Sequence, residues 1–240
     1  MKFITLILLS VWLLFSNPEK SFAWDSTAAK YMPLQVGNVW VFGTSYTYPF
    51  GYGSGYDRYI ISGTQLINGM VFYIFDHTHI QISGTYSCSS RLFSGDYPIR
   101  IDSINMYLYK NTVCGSSTEA LVDSLASKFR DSSVICPDFL GSKTTLNDTS
   151  NFYIFNSYFK AKKFATVNIN GGYDQTYLEG IGPVRYYYSV SNELCNNYLK
   201  GCIINGVVFG DTSIIVGINQ IDTEIPEEIE LSQNYPNPFN

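Results

Sequence analysis

Apolar and aromatic residues alternate with polar ones along most of the chain, in runs separated by turn residues. Alternation with a period of two is the mark of a strand with one buried face. Val39 to Tyr48 is the clearest case, placing Trp40, Phe42, Tyr46 and Tyr48 on one face. Pro49 to Gly55 reads as a glycine-rich loop, and Tyr56 to Thr64 as the returning strand. Asn68-Gly69 signals a tight hairpin turn, because both central positions of that turn need positive φ, and Val71 to Thr78 is its second arm. Pro98 to Asp102 with Asn105 to Lys110 predicts another hairpin. Strands continue at Asn151 to Phe155, Phe159 to Asn168, Tyr173 to Glu179 and Val184 to Val190. A second Asn-Gly hairpin, Asn205-Gly206, joins Tyr198–Ile204 to Val207–Phe209. Short strands split by turn signals predict a mainly all-β fold, an antiparallel barrel or sandwich. One short helix is an option around Ser116 to Phe129. Ser116 and Glu119 have capping-box spacing, and Leu121, Leu125 and Phe129 share a helical face. A strand over Ala120 to Leu125 competes with it.

The N-terminus follows a different pattern. Met1-Lys2 carries one positive charge, Phe3 to Phe15 is apolar apart from Thr5 and Ser10, and Pro18 stops any helix. Small residues at Ser21 and Ala23 place a signal-peptidase cut between Ala23 and Trp24. A run of about 13 apolar residues is too short for a bilayer span, which takes about 20. A lipoprotein signal would need a cysteine where Trp24 stands. The expected organisation is a signal peptide at 1–23, a β-rich domain at 24–215, an acidic linker at 216–229 and a distinct tail at 230–240. No membrane span is expected after cleavage.

Composition narrows the partners. The net charge is −5 and charged residues make up 15% of the chain. Without a basic cluster there is no expectation of nucleic-acid binding, which draws on lysine and arginine. Aromatics reach 16%, in keeping with strands. There are five cysteines, an odd number in a chain bound for an oxidising compartment, where disulfides are allowed. Cys195 and Cys202 bracket Asn196 to Gly201, read as a hairpin loop, and form the first candidate pair. Cys114 with Cys136 is the second. Buried free thiols are the competing reading.

The tail Leu231-Ser-Gln233-Asn234-Tyr235-Pro236-Asn237-Pro238-Phe239-Asn240 resembles the opening of the type A C-terminal sorting domain of type IX secretion, L-x-Q-N-Y-P-N-P-F-N. The resemblance implies passage through the type IX machinery to the cell surface or medium, and a Gram-negative source of the Bacteroidota–Ignavibacteria kind. It covers only the first motif of that domain, so the sorting domain is expected to be truncated here. Tyr31-Met-Pro-Leu-Gln-Val-Gly-Asn-Val-Trp40, Gly180-Ile-Gly-Pro183, Gly201 to Gly206 and Gly210-Asp-Thr212 resemble landmarks of β-rich exported proteins of the same bacteria, a group that implies no activity. In physical terms, Gly37-Asn38 is a turn, Trp40 a core anchor and Asn205-Gly206 a hairpin.

Candidate chemistry is sparse. His77 and His79 are the two histidines, and their spacing puts both on one face of a strand, where a metal could bridge them. Asp76 points the other way, no third ligand is identifiable, and neither H-E-x-x-H nor G-x-S-x-G occurs, so no catalytic residue, metal or cofactor is assigned. Glu179, Asp174 and Asp102 could supply the paired carboxylates of a glycoside hydrolase, but spacing alone does not pair them. Asp57 is a further unpaired acid, and Asp211 reads as a turn former. Tyr46, Tyr48, Phe50, Tyr52, Tyr56 and Tyr59 cluster about the glycine-rich segment, and Tyr48, Tyr52 and Tyr56 are the candidate platform for an extracellular glycan. Tyr186-Tyr187-Tyr188 form a second cluster, in which alternation exposes Tyr187 or its two neighbours. The leading expectation is a non-catalytic surface module, structural, adhesive or glycan-binding. The alternatives are a secreted hydrolase using paired carboxylates and a packing-only accessory domain of a larger surface protein. Mass spectrometry of the exported chain should find Trp24 at its N-terminus; an intact Met1 leader would refute the assigned cut.

Overall fold

The computed structural model describes residues 26–84, 88, 92–93, 97–112, 118–135, 143–168, 171–190 and 192–213. A four-residue helix α1 (Ser26–Ala29) leads into strands β1 (Val39–Tyr48), β2 (Gly51–Ile67), β3 (Met70–Gly84), β4 (Ile99–Ile101), β5 (Tyr107–Lys110), β6 (Ala120–Ser124) and β7 (Ser132–Val134). They are followed by β8 (Lys143–Asp148), β9 (Asn151–Ile154), β10 (Ser157–Asn168), β11 (Gly171–Leu178), β12 (Gly182–Val190), β13 (Glu193–Ile204) and β14 (Val207–Gly210). Twelve strands pair in the order β6-β5-β4-β3-β2-β1-β13-β12-β11-β10-β8-β7, with β14 added to β13 and β9 to β10. β6 and β7 approach each other at the two ends of this path. The result is a nearly closed antiparallel barrel, so the fold is all-β as expected.

Alternation sorts the faces. Trp40 and Phe42 of β1 join the main interior cluster, whereas Val39 and Val41 join a smaller cluster on the other face with Tyr56, Ile60 and Ile80. Both Asn-Gly turns take the expected backbone, with φ of 50° and 78° at Asn68-Gly69 and 52° and 81° at Asn205-Gly206. One expectation is corrected and one open alternative is decided. The glycine-rich segment is not a loop: the turn is confined to Pro49-Phe50, and strand pairing resumes with Tyr48 opposite Gly51. The stretch after Glu119 is the strand β6 and not a helix, because β5 offers it a partner and pairs Tyr109 with Leu121.

Two residues from between β3 and β4 join the interior cluster of wall side chains. Leu92 and Phe93 are buried. The Phe93 ring stacks on Tyr59 at 4.1 Å and 18°, and meets Phe75 at 5.2 Å, Phe42 at 6.0 Å and Trp40 at 6.4 Å. Trp40 Nε1 donates to the Ile181 carbonyl at 2.8 Å, which anchors β1 to the turn before β12. Asn38 joins two further segments, its Nδ2 donating to Pro33 O and its Oδ1 accepting from Asn205 N, both at 2.8 Å. The sequence landmarks Asn38, Trp40, Ile181 and Asn205 thus meet as one brace.

Polar groups carry the seam. Buried Asp123 on β6 accepts from Thr144 Oγ1 of β8 at 2.8 Å and from Tyr177 OH of β11 at 2.6 Å. Lys162 Nζ donates to the carbonyls of Leu125 at 2.5 Å and Ser127 at 3.1 Å. These bonds tie β6 and the turn after it to β8, β10 and β11, across the gap between the two ends of the strand path.

Cysteine pairing also departs from expectation. Cys195 is bonded to Cys88, 107 residues away, and Cys202 is a buried free thiol. Cys195 and Cys202 cannot bridge, because Asn196 to Gly201 is not a hairpin loop but the body of β13, which separates them by roughly 20 Å at about 3.3 Å per residue. Cys114 and Cys136 lie outside the described residues, as do the signal peptide, the acidic linker and the sorting motif. Replacing Phe93 by Ala should lower unfolding free energy by about 3–5 kcal/mol, read by denaturant titration with the disulfide intact. Phe129→Ala, on the exposed surface, should change it by less than about 0.5 kcal/mol. Equal effects would contradict the buried role of Phe93.

Candidate functional site

The most concentrated chemistry lies on the inward face of β2 and β3. The tight Asn68-Gly69 turn, extended without interruption, would pair Asp57 with Ile80 and leave Asp57 and His79 on opposite faces. A bulge between Ile61 and Gly63 shifts the register, so that Asp57 faces His79 and Tyr59 faces His77. Ser62, the extra residue, bonds its hydroxyl to Asp76 at 2.9 Å. A second irregularity lies beside Gly55, where an added Cβ would stand 2.5 Å from the Ile80 carbonyl and 3.1 Å from His79 Cε1. Glycine at position 55 therefore makes room for the His79 ring.

Asp57 is 1% exposed. Its Oδ1 meets His77 Nε2 at 2.8 Å and His79 Nδ1 at 2.7 Å, while its Oδ2 has no hydrogen-bond partner among the described residues. His77 also stacks on Tyr59, with 4.5 Å between ring centroids and 9° between planes, so the cluster rests on the aromatic core. Each imidazole keeps 26% of its side-chain surface accessible.

Hydrogen bonding favours protonation of His79. Gln81 Nε2 donates to the Ser83 carbonyl at 2.6 Å, which turns Gln81 Oε1 toward His79 Nε2 at 2.9 Å. Carbonyl and carboxylate oxygens both accept, so these two contacts favour the doubly protonated ring. Burial alone would lower its pKa, but the Gln81 and Asp57 hydrogen bonds and the Asp57 charge outweigh burial and raise it above 6.5.

Both imidazoles are engaged by Asp57 Oδ1, while Asp57 Oδ2 stays without a partner among the described residues. Neither imidazole hydrogen-bonds to a serine, threonine or cysteine among the described residues, and no three described His, Cys, Asp or Glu side chains are placed to share a metal ion. From sequence, His77 and His79 were seen to share a face; Asp57 was missed as their partner because no local signal marks the bulge that aligns it.

The other candidates fall in separate places. Tyr52 is 64% exposed and Phe50 87% exposed at the tip of the β1–β2 hairpin. Tyr48 packs edge-on against Phe50 at 5.9 Å, and Tyr56 lies on the outer face against the Val39–Val41 cluster. Alternation thus puts Tyr48 on one face and Tyr52 and Tyr56 on the other, and the three do not form one platform. Tyr186 is buried. Tyr188 stacks on Tyr173 at 5.3 Å and donates to Glu193 at 3.0 Å; burial and Glu193 push its phenol up to about 12.

Asp102 accepts from Ile104 N at 3.0 Å and from Asn105 N and Nδ2 at 3.3 and 2.9 Å, holding the β4–β5 turn. Burial would raise its pKa, but these bonds and Arg100 lower it. Glu179 faces Lys30 and Lys160 at 3.7 and 3.8 Å, and Asp174 pairs with Lys163 at 2.9 Å. These acids serve separate contacts and do not share one site. Asp211 accepts from Ser213 as a turn former.

No protein-family model and no curated protein matches the chain. Among solved structures, the chain is similar to one from Bacteroides fragilis NCTC 9343 described as an exported protein with a YmcC-like fold, with a TM-score of 0.42 and 11% identity over 73% of this chain and 97% of that one. It is also similar to one from Parabacteroides distasonis ATCC 8503 described as a lipoprotein, with a TM-score of 0.41 and 13% identity over 72% of this chain and 97% of that one.

A raised imidazole pKa stabilises the fold fully below the unfolded value of about 6.5 and loses that stabilisation as pH rises through the folded value. Melting temperature should therefore fall as pH is raised through that window, and Gln81→Leu should shrink the effect. Proton NMR titration of the two imidazoles reads it directly; a His79 midpoint below 6.5 would contradict the assignment.

Proposed function

We propose that this chain is an exported β-barrel module, closed by a disulfide, that works outside the cytoplasm as a non-catalytic structural, adhesive or glycan-contacting element. The observation that carries the reading is the Cys88–Cys195 bond. It fastens the β3–β4 connection, which supplies Leu92 and Phe93 to the core, to β13 on the barrel wall. A bond of this kind persists where the environment is oxidising, in agreement with a leader cut after Ala23. A loop of this span also gains about 4–5 kcal/mol from closure in the chain-entropy account.

The route is read from the two ends of the chain. The leader directs Sec export, and the Gln233–Asn240 motif points to the type IX machinery as the partner for the second step, with the cell surface or medium as destination. The non-catalytic part rests on the His–Asp cluster, in which one Asp57 oxygen engages both imidazoles, and on the separation of Asp102, Glu179 and Asp174.

The test is non-reducing peptide mapping of the full chain expressed with its leader in a Gram-negative host. The reading expects a Cys88–Cys195 linked peptide in the exported fraction, with Cys202 alkylated only after unfolding. Retention in the cytoplasm with both Cys88 and Cys195 reduced would overturn it.

A further inference from the structure

The outer wall of the barrel carries a cleft of about 300 Å³ across β10, β11 and β12, closed at one side by the β8–β9 turn. Its floor follows from the register. Lys163, Thr176 and Arg185 form one row across three strands, and Asp174 with Tyr187 forms the next. Asp148 stands opposite Lys163 at the end of β8. The ladder is irregular on both sides of this floor, between Lys163 and Phe164 and between Thr176 and Tyr177. Bulges re-aim side chains and collect beside functional sites. Tyr187 is the outward member of the tyrosine triplet, and it lines the cleft while Tyr186 and Tyr188 turn inward.

We propose that this cleft binds a neutral saccharide. The proposal deepens the glycan-contacting part of the function above and moves its site away from Tyr48, Tyr52 and Tyr56. Three features select the ligand. Two carboxylates (Asp148, Asp174) and two cations (Lys163, Arg185) line the cleft, so their formal charges cancel and no field favours an anionic or cationic ligand. Asp174 meets Lys163 at 2.9 Å and Asp148 accepts from Ser150 at 3.0 Å, which holds donors and acceptors side by side at the spacing of neighbouring ring hydroxyls. Tyr187 adds a phenol ring, an apolar body with a polar tip, against which the C–H face of a pyranose can pack. The volume lies at the small end of the range for small-molecule sites, enough for one or two sugar rings.

The test is a glycan array probed with the full chain, followed by calorimetric titration of maltotetraose, cellotetraose and mannotetraose. At least one neutral glycan should bind. Tyr187→Ala and Arg185→Leu should each weaken it about tenfold or more, the loss typical of truncating a central contact. Both variants must keep the parent circular dichroism and melting temperature, and Tyr52→Ala should bind as the parent does. Binding that survives Tyr187→Ala and Arg185→Leu but fails in Tyr52→Ala would overturn this site while leaving the glycan-contacting reading in place. Preference for sialylated or sulfated glycans would overturn the neutral-ligand assignment. An array with no binder would overturn both the site and the glycan-contacting reading, while the export reading would still rest on the disulfide.

Discussion

The fold depends on how a twelve-strand barrel is filled. Barrels of about eight strands are filled by the side chains of their own walls, whereas wider ones leave a lumen that must hold water, ligand or a plug. Here wall side chains and two residues from between β3 and β4, Leu92 and Phe93, make up the interior cluster. Phe93 lies against Tyr59 at the centre of a group that includes Trp40, Phe42 and Phe75, and Cys88 bonds the same connection to the wall at Cys195. Stacked aromatic pairs add roughly 0.5–1.5 kcal/mol beyond the apolar area they bury.

The inward face changes character along the strands. Trp40 and Phe42 give way to Thr44, and Tyr59 gives way to Asp57, both buried and polar. Asp57 holds His77 and His79 by one oxygen, and the Gln81 and Asp57 contacts raise the pKa of His79 against its burial. A buried carboxylate in this setting is costly unless compensated, and the raised pKa of His79 favours the opposite charge beside it. The cluster therefore reads as part of the barrel's internal structure.

Much of this architecture was legible in the sequence, and the omissions share one cause. Val39–Tyr48 showed its buried face by alternation, and the two Asn-Gly turns fixed their hairpins, because those signals are local. Gly55 looked like loop punctuation, yet it is a strand residue demanded by the close approach of Ile80 and His79. The segment from Ala120 satisfied a helical and a strand pattern equally, and only the presence of β5 decided it. Cys88 and Cys195 are brought together by the barrel and not by spacing, so the loop pairing of Cys195 with Cys202 failed. Asp57 joined the histidines through a one-residue bulge at Ser62, which no motif announces. Tyr187 could be placed outward by alternation, but its neighbours Asp174 and Arg185 needed the register of three strands.

The central claim is that Phe93 sits at the centre of the aromatic cluster by packing on Tyr59. A double-mutant cycle with Phe93→Ala and Tyr59→Leu, measured by equilibrium denaturation with the disulfide intact, tests it most directly. Residues in contact couple by roughly 0.5–3 kcal/mol, and the account expects a coupling within that range. Additivity to within about 0.3 kcal/mol would mean that the two rings do not meet and that Phe93 does not sit at the centre of the aromatic cluster.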